Sequence, residues 1–199
     1  MSAWFLLKAL GSIFSVACLL RAYLQWAKLH PMNPLSQMVF RFTDWLVIPL
    51  RRLFPPQSKL DWGSLASATL VAIVLAIVEF LWVTLDPALA LQGPVVRPFG
   101  LVFILALIWV WGWAMQLAVV LLLAQAVLGL FSRNPTAASI RPVLTVLVKP
   151  LIRPVWKLTG TPKPGSLDFS PIAVFIVLQL GLSLQGWLEN LVHQALFAA

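Results

Sequence analysis

The sequence predicts an all-α membrane protein: four transmembrane helices plus two cytoplasmic interfacial amphipathic segments, arranged as two parallel repeats. Three observations carry the prediction. Of 199 residues, 61% are hydrophobic and 10% are charged, whereas about a quarter of a soluble domain is charged. The apolar residues gather into four long runs, near 4–26, 65–85, 99–131 and 171–191. The stretch between the first two runs is written again between the last two.

The duplication rests on sparse motifs. Asn-Pro occurs only at Asn33-Pro34 and Asn134-Pro135, and Pro-Leu-x-Arg only at 49–52 and 150–153, so both recur 101 residues further on. Leu-Asp-aromatic occurs at 60–62 and again at 167–169, six residues beyond that offset. Rare motifs in one order at nearly one spacing mark an internal repeat. The first repeat is 1–90 and the second 91–199, each a span, an amphipathic segment and a span.

The first span, Trp4 to Trp26, has 23 residues and rises about 34 Å as a helix, enough for a hydrocarbon core of about 30 Å. Lys8 and Arg21 sit near its opposite ends and can snorkel outward. Ala9–Leu20 after Lys8 resembles a short signal segment, but the apolar character continues to Trp26, so the run is expected to stay as a span. Cys18 is alone, which excludes a disulfide or a cysteine-based metal site within one chain.

Asn33 and Pro34 suit the N-cap and first position of a helix. Leu35, Met38, Val39, Phe42, Trp45 and Leu46 follow at helical spacings, too few to span and amphipathic, as in a helix lying in the headgroup plane. Pro49 is expected to stop or kink it. Asp61 or Ser64 caps the second span, and Asp86-Pro87 ends it. The third run is uncharged for 33 residues, about 50 Å of helix; part of it must tilt, bend or leave the core. In the second amphipathic segment Pro142 and Pro150 predict a broken helix. Ser170 as N-cap and Pro171 at the first helical position open the fourth span.

Lysine and arginine set the topology. Of 14, all but Lys8 and Arg97 fall in or beside the two amphipathic segments. Both segments are therefore expected in the cytoplasm, with both termini and the 86–98 loop outside. The net charge of +8 points to a lipid bilayer with anionic headgroups as the partner, not to nucleic acid. Other membrane proteins, or further copies of the chain, are additional candidate partners.

Little in the chain carries chemistry. His30 and His193 are the only histidines and fall on opposite faces. HExxH, Walker A, GxGxxG and CxxC are all absent. No enzyme activity, catalytic residue, cofactor or metal is expected. Glu79 is the one acid that reads as buried in a span, and a carboxylate there is a functional candidate with a partner to be named. Lys8 lies at matching depth. The two make an ion pair or belong to a proton or cation relay; the aligned part of the second repeat is neutral around Gln185 and Gly186. Arg52 and Arg153 are equivalent by repeat, as are Asp61 and Asp168. Either arginine and aspartate pair and lock each amphipathic segment onto the next span, or Arg51, Arg52 and Arg153 bind lipid phosphates or handle ions directly.

Leu19–Trp26 (LLRAYLQW), Asn33–Gln37 (NPLSQ), Pro49–Pro55 (PLRRLFP), the Leu60 and Leu167 motifs and Pro150–Pro154 (PLIRP) together resemble the YggT family, which includes the YlmG proteins of bacteria and plastids. The resemblance covers nearly the whole chain. It implies a multi-pass protein of the bacterial cytoplasmic (inner) membrane that supports ion homeostasis or osmotic tolerance. Plastid relatives imply the alternative, a non-enzymatic scaffold or assembly factor for membrane complexes. It implies no catalytic residue. The long uncharged third run and the Lys-Pro insert at 161–164 depart from the family pattern.

Overall fold

A computed structural model describes residues 2–29, 33–54, 60–85, 99–130, 135–159 and 169–197, and these form six helices. They are α1 (Ser2–Trp26), α2 (Pro34–Leu53), α3 (Trp62–Leu85), α4 (Phe99–Leu130), α5 (Pro135–Thr159) and α6 (Ser170–Phe197). His30, Asn134 and Asp168, with the 86–98 loop, lie outside the described residues. Four helices are long and apolar enough to cross a membrane: Trp4–Trp26, Trp62–Thr84, Gly100–Gly129 and Ser170–Leu196.

α1 packs along α3 and α4 along α6, with α3 against α4 at the centre; α2 lies on α1 and α3, and α5 on α4 and α6. The α1–α3 seam is made of small residues. Ala68, Ala72 and Ala76 recur every fourth residue and are fully buried, with Ser15 of α1 against Ala68. A Cβ on Gly11 would sit 2.6 Å from a Leu75 methyl. Lipid tails are as apolar as leucine, so helices in a bilayer associate through such close approach and not through burial of oily surface. Ser67 donates to Gly63 O at 2.7 Å and Thr84 to Phe80 O at 2.8 Å within their own helix, whereas Ser15 donates across the seam to Ala68 O at 3.4 Å. α6 is the outermost span, with Ile172, Ile176, Leu180 and Trp187 exposed.

α1 ends in a tight cap. The Lys28 backbone is left-handed (φ 56°), Lys28 N–H donates to Gln25 O and Leu29 N–H to Leu24 O at 3.1 Å. This is the double hydrogen bond that closes helix C-termini, here with lysine where glycine is usual.

Asn33 caps α2, its side chain accepting from Leu35 N at 3.0 Å, with Pro34 opening the helix. α2 has three sides. Ser36, Val39, Thr43 and Val47 face the bundle; Met38, Phe42, Trp45 and Ile48 are exposed; Gln37, Arg41 and Asp44 lie between them. Phe42 and Trp45 pack against Phe14 with their rings tilted, at 5.5 and 5.0 Å between ring centroids. Phe14 lies two turns down α1 from Arg21, which touches α2 at Phe40, Thr43 and Asp44. The aromatic row of α2 therefore points along α1, away from its polar edge.

Proline does less than expected. α2 runs through Pro49 to Leu53, and α5 is one helix through Pro142, Pro150 and Pro154. Pro49, Pro142 and Pro154 are on exposed sides, where water or headgroups can satisfy each freed carbonyl. The buried row of α5, Leu144, Leu147, Val148 and Ile152, holds its axis against the spans. α6 also opens a residue early: Phe169 O accepts from Ile172 and Ala173 N–H, so Ser170 is inside the helix.

Candidate functional site

Two polar clusters sit at opposite ends of the bundle. The first joins α1, α2 and the start of α3. Asp61 is fully buried and caps α3, accepting from Ser64 N at 3.3 Å and Ser64 Oγ at 2.5 Å. Arg51 grips it through two nitrogens, Nε to Oδ1 at 3.2 Å and Nη2 to Oδ2, and also reaches Gln25 Oε1 at 3.3 Å. Arg21, 3% exposed, donates to Asp44 at 2.7 Å and Thr43 Oγ1 at 2.8 Å, lies over the Phe40 ring, and stands 3.7 Å from Asp61. Gly63 makes the grip possible: a Cβ there would come within 2.5 Å of Arg51 Cγ. Burial pushes the Asp61 carboxyl up, but the hydrogen bonds from Arg51 and Ser64 and the Arg51 charge outweigh it and hold the group below its ordinary value.

The arginine that pairs is thus Arg51 and not Arg52. Arg51 follows buried Val47 by one turn, whereas Arg52 follows exposed Ile48 and is itself exposed. In the second half the position equivalent to Arg51 is Ile152, which is buried in the core. Arg153, like Arg52, is exposed. Pro135 opens α5, while Asn134 and Asp168 lie outside the described residues.

The second cluster draws on all four spans. Lys8 Nζ lies 3.8 Å from Glu79 Oε1 and 3.5 Å from Glu189 Oε1, and 4.1 Å above the Trp109 ring. Glu189 accepts from Trp109 Nε1 and from Gln185 Nε2, each at 2.8 Å. His193 Nε2 is 3.5 Å from Glu79 Oε2. Gly112 leaves the space that Gln185 fills, since a Cβ there would meet its amide carbon at 2.8 Å. Two carboxylates face one lysine and one histidine, so the sum is zero with His193 protonated and minus one with it neutral. Among the described residues no group of three or more His, Cys, Asp or Glu is placed to hold a metal ion.

The structure brings Lys8 and Glu79 together. The sequence reading missed Glu189, Gln185, Trp109 and His193 as their neighbours. A signal for three of these was present: Gln185, Glu189 and His193 recur every fourth residue, one face of a helix. Arg21, treated as an interfacial snorkeller, is instead almost wholly buried.

Four membrane-length apolar helices enclosing sequestered charges define a polytopic α-helical membrane protein. The chain belongs to the CCB3/YggT family, whose model matches residues 1–85 and 104–188. It is 32% identical over 176 residues to the uncharacterized protein YggT of Escherichia coli K12, covering 87% of this chain and 84% of the relative. An uncharacterized protein of Pseudomonas aeruginosa is 33% identical over 190 residues, 90% and 85% of the two chains. One of Haemophilus influenzae is 29% identical over 173 residues, 85% and 84%. No solved structure matches.

Proposed function

We propose that the chain is a non-enzymatic inner-membrane protein supporting ion homeostasis or osmotic tolerance, with the Lys8–Glu79–Glu189–His193 cluster as its proton- or cation-exchanging element. One observation carries the reading. Carboxylates from two different spans, Glu79 and Glu189, converge on a single lysine inside the membrane-length part of the bundle. Intramembrane charges are costly and mark ion pathways and proton relays when they face a bundle interior. With two acids to one lysine, the balance changes by one charge when a proton or small cation joins.

The concentration of Lys and Arg around α2 and α5 supports a cytoplasmic position for both and an outer position for the termini. Two family-matched segments of similar length, each ordered span, amphipathic helix, span, support two parallel repeats about an axis along the membrane normal.

The test is potassium and proton flux into liposomes holding the purified protein. Flux above empty liposomes, reduced in both Glu79→Gln and Glu189→Gln, is expected. Inserted, folded protein that passes no more than empty liposomes sinks the reading. A scaffold is the second reading, favoured by the exposed Met38, Phe42 and Trp45 row of α2. It expects Phe42→Ala/Trp45→Ala to abolish crosslinks to neighbouring membrane proteins while the Glu79 variant leaves them intact.

A further inference from the structure

An apolar crevice of about 380 Å³ runs between the spans at the α2 and α5 end of the bundle. Leu19 and Tyr23 of α1, Met115 and Leu121 of α4, Leu151 of α5 and Leu178 of α6 line it. The Tyr23 hydroxyl donates to Leu147 O, so the crevice meets the ring and not the polar tip. Its volume falls in the range of about 300–1,000 Å³ that holds small ligands. Trp26 stands at its edge and also borders a second hollow, formed by Lys149, Arg153, Trp156 and Lys157 of α5.

The charged residues that line the second hollow are all cations. Lys149, Arg153 and Lys157 are one helical turn apart, all exposed, and α5 contains no acid. An oily slot and a row of three cations meet at Trp26. Basic pockets between transmembrane helices bind anionic lipid headgroups.

We propose that one anionic phospholipid docks here, an acyl chain in the crevice and its phosphate on Lys149, Arg153 and Lys157. A free phosphate would use the cations but leave the crevice empty. A zwitterionic lipid would fill the crevice but bring a positive group to a positive row. The two halves of the site together select a lipid that is both apolar and net negative. The lipid would also bridge the halves of the chain, since α1 and α4–α6 line the same slot.

Native mass spectrometry of the detergent-purified protein tests this, with cardiolipin and phosphatidylcholine of the same acyl chains as probes. Cardiolipin is expected to remain bound one to one where phosphatidylcholine does not. A basic side chain beside an anionic headgroup contributes about fivefold in affinity, so Lys149→Ala/Arg153→Ala/Lys157→Ala should lower retention at least tenfold. Arg41→Ala/Arg52→Ala, which removes exposed charge from α2, should leave it unchanged. Equal losses in the two variants, or equal retention of the two lipids, overturn the proposal. A cardiolipin with a photoreactive group in its acyl chain should label residues 19–26 and 114–121; labelling confined to other segments overturns the crevice assignment.

Discussion

Arg51 reaches across the joint between α2 and α3 and holds both carboxylate oxygens of Asp61. Asp61 is completely buried and caps the second span, so one ion pair fixes where the amphipathic helix ends and the span begins. Bidentate arginine–carboxylate pairing adds direction as well as strength.

Arg51→Ala leaves that carboxylate buried with Arg21 as its nearest cation and Ser64 as its hydrogen-bond donor. Breaking a buried pair from one side costs about 3–5 kcal/mol, and Arg21 at 3.7 Å places the expected loss at about 3 kcal/mol. Arg51→Ile/Asp61→Asn, which removes both charges, should lose less than the single change. Denaturant unfolding of the protein in mixed micelles measures the difference; a double variant worse than the single one would contradict this account.

Acid should loosen the same joint. The Asp61 carboxyl lies below its ordinary 3.8 in the folded protein, so folding favours its ionised form. Its contribution is complete above the unfolded value and is lost as pH falls through the lower folded one. The thermal midpoint should therefore drop as the pH is taken below about 4, and more steeply in the wild type than in Asp61→Asn. Parallel curves would assign the acid sensitivity to other carboxylates.

Gly63 should be indispensable only while Arg51 is present. Glycine inside a helix costs about 0.5–1 kcal/mol relative to alanine, yet Gly63→Ala is expected to destabilise because its methyl collides with Arg51 Cγ. In an Arg51→Ala background the same substitution should cost markedly less, the residue-51 Cα at 3.3 Å being the closest contact left. A double-mutant cycle reads this coupling directly.

Lys8 balances two acids at the other end. Lys8→Met should destabilise by about 1–2 kcal/mol, the cost of leaving two part-buried carboxylates without their cation, and Glu79→Gln added to it should recover part of that loss. Additive losses would mean that Lys8 and Glu79 are not energetically coupled.

What the sequence made legible is what is local. Trp4–Trp26 matches the first membrane-length segment end to end, and Asn33-Pro34 caps α2, because run length and capping chemistry act within a few residues. What it hid depends on helix phase and partners. Choosing between Arg51 and Arg52 requires α2 to keep its 3.6-residue turn past Pro49, which the proline argued against. The continuity of α5 comes from a buried row that tolerates prolines on the opposite side. Glu189 was obscured because its partners Lys8 and Trp109 lie 181 and 80 residues away; its own segment offers only the shared helix face of Gln185 and His193.

That long separation also sets an order of events during synthesis. A chain made from its N-terminus delivers Lys8 and Glu79 to the membrane as a self-neutralising couple. Trp109 follows, and Glu189 and His193 enter only with the last helix. Until then the Trp109 indole N–H lacks its acceptor and Gln185 has not filled the notch at Gly112. Seating of α6 completes the constellation, so a chain stalled before its final span would keep the Trp109 indole N–H without Glu189 and the notch at Gly112 unfilled.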